Sequence, residues 1–420
     1  MKQRRQESAI VWGVVGIACC LGFAALRSGA EGSKGRAERG SAPVASAGEE
    51  EASMTSETTT ARRQGDDPWE EFCEQLKRAG RVMQRDTTPQ DDLTQAEGYR
   101  KLVHFIRVGF EANLDFADTE HPRVYPHVTP TTLGEGETSD ARYHQAFIDG
   151  SASYRVSGDR GTAPFIEFDV YAGKIGIQDS SRQLGALTEQ NLVVREDGRY
   201  EVVLSPDEHP GNWIRTEPDA TLLYMRQYAH DWSETRSATF EIQREGVTGP
   251  RPPLALAEVE KGLMRTAAFV DHAVHFWATI VDRQAATEPN VFREVSQAQT
   301  EESPEMPVGH RFSAGYFRLA PDEALVVTFT PGDAPYWGLD LANYWFEPLS
   351  YEDHRSHVNN RTATLEPDGS LRIVIAEERR GAANWIDLQG HREGMMIFRW
   401  SRSRDPLPAI ASQLVNLADL

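Results

Sequence analysis

Two short runs of this chain set histidines and carboxylates close enough to share a task. His354 and His357 stand beside Glu352 and Asp353 in a stretch that reads as a loop. Such a cluster supplies an acid, a base and a carboxylate to orient an imidazole, which makes Asp353, His354 and His357 the candidate catalytic residues for a hydrolase or isomerase. Asp271, His272 and His275 repeat the theme on a helical pattern. No third ligand is indicated there and the His-Glu-x-x-His string of a zinc protease is absent, so no metal or cofactor is expected. Nucleophile motifs are missing as well: there is no Gly-x-Ser-x-Gly elbow and no phosphate-binding Gly-rich loop, and Cys73 sits on a predicted helix without a visible partner.

Aromatic side chains beside polar ones offer a different chemistry, stacking on a sugar ring or covering a flat apolar ligand while hydrogen bonds hold its edge. His209, Tyr224 and Trp232 form one such group with Tyr228, His230 and Asp231. Asn343, Tyr344, Trp345 and Arg355 form another. For Tyr344 and Trp345 the alternative is that they finish a strand and fill the core.

The elements that position these residues occur twice. Ala163 to Val170 aligns with Ala334 to Leu341, Asp197-Gly198 with Asp368-Gly369, Asn212-Trp213-Ile214 with Asn384-Trp385-Ile386, and Arg226 with Arg399. Four blocks in order, with two single-residue slips, describe a duplicated unit. Each copy reads as a strand carrying Asp169 or Asp340, an Asp-Gly turn, a strand, an Asn-Trp loop and a closing strand. Strands with one apolar face must pack on a second sheet or close into a barrel, so the expected fold is mainly β with helical segments, built as two jelly-roll-like β-sandwich lobes. Residues present in both copies, Asp169, Trp213, Arg226, Asp340, Trp385 and Arg399, read as what each lobe needs to fold. Those present in one copy are the better functional candidates.

Around the lobes, residues 68–120 read as an opening helical segment, from Trp69, Phe72, Leu76, Ala79 and Met83 and then Leu93, Ala96, Tyr99, Leu102, Val103, Ile106 and Phe110 at helical spacing. The first lobe is expected over 121–250, an inter-lobe helix over 251–284, an irregular connection over 285–310 and the second lobe over 311–420. The chain begins with Lys2, Arg4 and Arg5 and then an apolar run from Ala9 to Leu26, which reads as a membrane anchor within residues 1–27 with the body on the extracytoplasmic side. Ser28-Gly29-Ala30 also fits a cleavage site, in which case the body is secreted. Residues 28–67 are poor in large apolar side chains and read as a disordered tether with a reach of roughly 35 Å.

A net charge of −20, from 64 acidic against 44 basic residues, opposes binding to a nucleic-acid backbone.

Asp140-Ala141-Arg142-Tyr143, Tyr154-Arg155-Val156-Ser157-Gly158, Asp-Val-Tyr-Ala-Gly at 169–173, Gly211-Asn212-Trp213 and Arg226-Gln227-Tyr228 resemble bacterial proteins carrying the DUF1214 domain. Tyr336-Trp337-Gly338, Asp368-Gly369-Ser370, Asn384-Trp385 and Phe398-Arg399 are similar to the same domain. The resemblance spans roughly Trp69 to Trp400 and implies β-sandwich lobes with a helical segment, without an activity. Arg399-Trp400 departs from the expected Arg-x-Tyr closing pair, and the Asn-Trp loop lacks the prolines that usually follow. The leading expectation is a non-catalytic envelope protein that binds a glycan or small amphipathic ligand. A hydrolase or isomerase on the same lobes, or a structural assembly module, are the alternatives, and oligomeric state is left open.

Overall fold

The computed structural model describes residues 67–129, 131–134, 136–172, 182–295, 310–403 and 406–420. The apolar run of Ala9 to Leu26 and the tether up to residue 66 lie outside the described residues. Among those described, no helix is long and apolar enough to cross a membrane.

Helix α1 (Pro68–Ala79) starts where the Asp67 carboxylate accepts the Trp69 N–H at 3.0 Å, with Pro68 in the first turn. Helix α2 (Asp92–Phe110) is capped in the same way by Asp91, which accepts from Thr94 N at 2.9 Å. The first lobe contributes β1 (Tyr125–Pro126), β2 (Ala141–Phe147), β3 (Tyr154–Asp159), β4 (Phe165–Ala172) and β5 (Arg182–Thr188). It continues with β6 (Arg199–Ser205), β7 (Trp213–Arg215), β8 (Ala220–Tyr228) and β9 (Glu241–Arg244). Helix α3 (Leu256–Ala285) joins the lobes. In the second lobe follow β10 (Arg293–Glu294), β11 (His310–Arg318), β12 (Glu323–Phe329), β13 (Tyr336–Ala342) and β14 (His357–Asn359). Strands β15 (Leu371–Ala376), β16 (Asn384–Asp387), β17 (Glu393–Ser401) and β18 (Ala411–Asn416) complete it.

Each lobe is a two-sheet sandwich, and the sheets match strand for strand. The five-stranded sheets run β1-β2-β8-β4-β5 and β10-β11-β17-β13-β14, and the four-stranded ones β7-β6-β3-β9 and β16-β15-β12-β18. Both four-stranded sheets contain one parallel pair, β6 with β7 and β15 with β16, so the repeat extends to topology.

Alternation explains the cores. On β4, Ile166, Phe168 and Val170 point into the first sandwich, while Glu167, Asp169 and Tyr171 fall on the opposite face. The second lobe buries both faces of its five-stranded sheet. Leu339, Met396 and Phe398 fill the sandwich, whereas Phe312, Tyr316, Met395 and Ile397 meet Phe269, Val270, Val274 and Trp277 of α3. All three helices therefore serve the second lobe.

The helix faces differ from their expected stripes. Tyr99 and Val103 of α2 are 61% and 62% exposed, and the buried side carries Glu97, Gly98, Lys101, His104 and Phe105. The reason is a partner on the second lobe: Glu347 is fully buried and meets His104 Nδ1 at 2.9 Å, Arg100 at 3.3 Å and Lys101 at 3.7 Å. A buried carboxylate is tolerated only with such partners. Burial raises the Glu347 pKa, but Lys101, His104 and Arg100 outweigh it and hold the carboxyl below its usual range.

Candidate functional site

Beside this ion cluster, α2 and the second lobe leave a cleft of about 720 Å³. Glu97 and Arg100 of α2 form one wall, with Leu93 at the helix start. The loop after β13 supplies Ser350, Tyr351, Glu352 and His354, and the end of β16 with the turn after it supplies Asp387, Gln389 and His391. Glu377 closes the circle beyond β15.

Two histidine-carboxylate pairs face this space. His391 Nε2 lies 3.1 Å from Glu97 Oε1, and its Nδ1 is 2.8 Å from the Leu388 carbonyl, so both ring nitrogens are engaged. Burial lowers the His391 pKa, but the hydrogen bond and charge of Glu97 outweigh it, and the imidazolium is favoured. His354 Nδ1 lies 2.8 Å from Asp387 Oδ2, with its side chain 45% exposed. Burial and the neighbouring acids Glu137 and Glu352 push the Tyr351 hydroxyl up to about 12, so it remains a neutral donor. The cleft thus presents four carboxylates against Arg100 and two histidines, with one aromatic ring and an apolar edge at Leu93, Leu133 and Leu349.

Of the candidate catalytic and ligand-binding residues, His354 lines this cleft, together with its neighbour Glu352. Asp353 is exposed beside it. His357 is turned away on β14, where its Nε2 lies 3.1 Å from Asp140 of the first lobe. Asp353, His354 and His357 are therefore not one cluster, because the strand that begins at His357 carries it to the lobe seam. No group of three potential metal ligands occurs among the described residues, and His275 lies 3.6 Å from Asp271 on the exposed side of α3.

The aromatic candidates are mostly interior. Tyr344 is buried and donates to Asp282 at 2.9 Å and to the Thr87 carbonyl at 3.1 Å. Trp345 is buried too, its Nε1 donating to the Thr94 carbonyl at 2.7 Å, and Asn343 accepts the N–H groups of Trp345 and Glu347. Tyr344 and Trp345 pin the helical segment to the second lobe, and Asn343 holds the turn that carries Trp345 and Glu347. Tyr224 is buried, with the Arg226 guanidinium 5.1 Å from its ring. Trp232 donates to the Asp140 carbonyl, with Arg142 over its ring at 4.1 Å. His209 bonds the carbonyl of Pro210, and Arg355 is half-buried, its carbonyl accepting from Asp387 N.

The duplicated residues make duplicated contacts. Arg226 meets Asp169 at 2.9 Å and Arg399 meets Asp340 at 2.6 Å, both pairs buried. Trp213 Nε1 donates to the Ser205 carbonyl and Trp385 Nε1 to the Ala376 carbonyl. Asn212 bridges Val193 to Glu201 just as Asn384 bridges Thr364 to Arg372.

Glu97, Arg100, Tyr351, Glu377, Asp387 and His391 were not singled out by sequence. For Asp387 a signal existed: it follows Asn384-Trp385-Ile386 where the first copy has Arg215 after Asn212-Trp213-Ile214.

The family model described as a protein of unknown function, DUF1214, matches residues 137–231 and 317–404. The solved structure of an uncharacterised protein from Burkholderia cenocepacia is 32% identical with a TM-score of 0.79, over 84% of this chain and 98% of that one. A protein from Vibrio parahaemolyticus aligns at 9% identity and a TM-score of 0.42, over 80% of this chain and 99% of that one. No curated protein matches the chain.

Proposed function

The chain belongs to the DUF1214 family of proteins of unknown function, and on that footing we propose that it is a non-catalytic binding protein for a small neutral glycan, held in the cleft between α2 and the second lobe. The observation that carries this reading is the chemistry of that cleft. Glu97, Glu352, Glu377 and Asp387 offer acceptors for sugar hydroxyls, Arg100 offers donors, and Tyr351 offers a ring face. A volume of about 720 Å³ suits a mono- or disaccharide. The excess of carboxylates disfavours acidic sugars. Further support comes from copy specificity: Asp387 and His354 belong to one lobe only, so the fold common to both lobes does not require them. The basic residues and apolar run of the first 27 residues support an anchored, extracytoplasmic body, where such a ligand is met.

Saturation-transfer NMR against a panel of neutral, amino and acidic sugars tests the reading. Saturable transfer from neutral sugars, absent with acidic ones and without any change in the sugar, is expected. Turnover of a bound sugar would turn the site into that of an enzyme, with the two histidine-carboxylate pairs as its acid and base.

A further inference from the structure

The sister lobes differ at three registers that meet across their seam. Pairing places His310 opposite Ser401 in the second lobe and Ala141 opposite Tyr228 in the first. It also places Glu167 opposite Arg226 in the first lobe and Gly338 opposite Arg399 in the second. His310, Ser401 and Glu167 are thus each specific to one copy, standing where the other lobe folds with Ala141, Tyr228 and Gly338. At Gly338 a side chain has no room, since a Cβ would lie 2.7 Å from the Tyr336 hydroxyl oxygen.

These three side chains form a line. Ser401 Oγ is 2.7 Å from His310 Nδ1, and His310 Nε2 is 2.7 Å from Glu167 Oε1. Glu167 also faces Arg402 at 2.5 Å and Arg226 at 3.4 Å. Arg402, next to Ser401, has φ +64°, a left-handed backbone that is costly for a residue other than glycine and is found where a site holds strain. Phe165, Tyr228 and Tyr336 cover the line, leaving about 170 Å³ between atoms, none of it wide enough for a water.

We propose that Ser401 is a nucleophile toward small acyl esters, with His310 as its base and Glu167 as the group that orients the imidazole. The three groups are those of a serine hydrolase relay, assembled from both lobes, with the imidazole reversed so that Nδ1 faces the serine and Nε2 the carboxylate. Its protonation states fit. Burial lowers the His310 pKa more than Glu167 raises it, favouring the neutral base, while burial of Glu167 is opposed by the hydrogen bond from His310 and the guanidinium charges of Arg226 and Arg402, which keep it a carboxylate. As Ser401 Oγ bonds the acyl carbon, its proton passes to His310. The ester C–O bond breaks and the departing alkoxide takes that proton. Water then attacks the acyl carbon, giving a proton to His310 that returns to Ser401 Oγ as the acid leaves. No space along the line admits a water while these rings are in place, so both the ester and the hydrolytic water reach Ser401 only when Phe165 or Tyr336 turns aside.

The test is independent of sugar binding. The full-length chain is treated with a small fluorophosphonate, and with p-nitrophenyl acetate, and the adduct is mapped by peptide mass spectrometry. Labelling of Ser401 is expected, absent in Ser401→Ala and slowed by about a hundredfold or more in His310→Gln, the ordinary contribution of a general base. The labelling rate should rise with pH through a value below the usual histidine range. No adduct on Ser401 at any pH from about 6 to 9, or an equal rate in His310→Gln, overturns the proposal and leaves the three residues as a seam contact.

Discussion

Glu97 and Asp387 hold two histidines on one cleft, and that pairing has a consequence for stability. Because His391 has a folded pKa raised by Glu97, their attraction is fully present below the unfolded histidine value of about 6.5 and fades as pH rises through the folded value. His357, raised by Asp140 despite burial, follows the same course. Thermal melts across that range should therefore show stability changing less favourably with rising pH in the wild type than in His391→Gln, the buried His127, His144 and His310, whose pKa values burial lowers, contributing the opposite slope to both proteins. Equal slopes would mean that Glu97 does not favour the imidazolium. The duplicated pairs make a different demand. Asp340→Ala leaves Arg399 buried without its carboxylate, a change expected to cost about 3–5 kcal/mol in urea unfolding. A loss under about 1 kcal/mol would contradict the structural role inferred from the repeat. Duplication was legible in the sequence because Asp169, Arg226, Asp340 and Arg399 recur in order. Convergence of His354, Asp387, Glu97 and His391 was not, since the two pairs join residues that only tertiary folding brings together.

At the scale of elements, the helix periods located α1, α2 and α3, but not which face of α2 turns inward. A rule that buries apolar residues selects Tyr99 and Val103, whereas the protein buries Glu97, Lys101 and His104, because Glu347 and His391 wait on the second lobe. Hydropathy carries no information about a partner more than two hundred residues away. Gly98 completes the docking. A Cβ at this position would lie 2.5 Å from both Trp345 Cζ2 and Met83 Cε, so the helix approaches the lobe as closely as its backbone permits. Gly98→Ala should destabilise the protein by about 1–3 kcal/mol through overpacking. It should also weaken sugar binding, because Glu97 and Arg100 move with the helix. A variant with wild-type stability and affinity would show that the contact relaxes freely. Strand positions were easier to read: the strands expected after Asp197-Gly198 and Asp368-Gly369 are β6 and β15, where two-sided burial and the preceding Asp-Gly turns leave few alternatives.

The whole molecule is a duplicated sandwich whose halves have diverged in what covers them. Helix α3 packs on the five-stranded sheet of the second lobe with α1 and α2 packed against it, and the cleft lies between α2 and that lobe. Repeats of sequence predicted the two lobes; which lobe would receive the helices depended on side chains such as Phe312, Tyr316, Met395 and Ile397, whose second buried face looks like any other strand pattern. The apolar N-terminal run makes a prediction at this scale too. The full chain should partition with membranes, and a chain lacking residues 1–27 should be released, as fractionation would show; equal distribution of both would remove the anchor from the account. Titration calorimetry tests the central claim most directly, using the neutral sugar that binds best and three proteins: wild type, Glu97→Gln and Asp387→Asn. Saturable one-site binding in the wild type, weakened about tenfold or more in each variant as expected for losing a hydrogen bond to a charged group, is the predicted result. Absence of binding by any neutral sugar, or equal affinity in all three proteins, would contradict the assignment of this cleft as the ligand site.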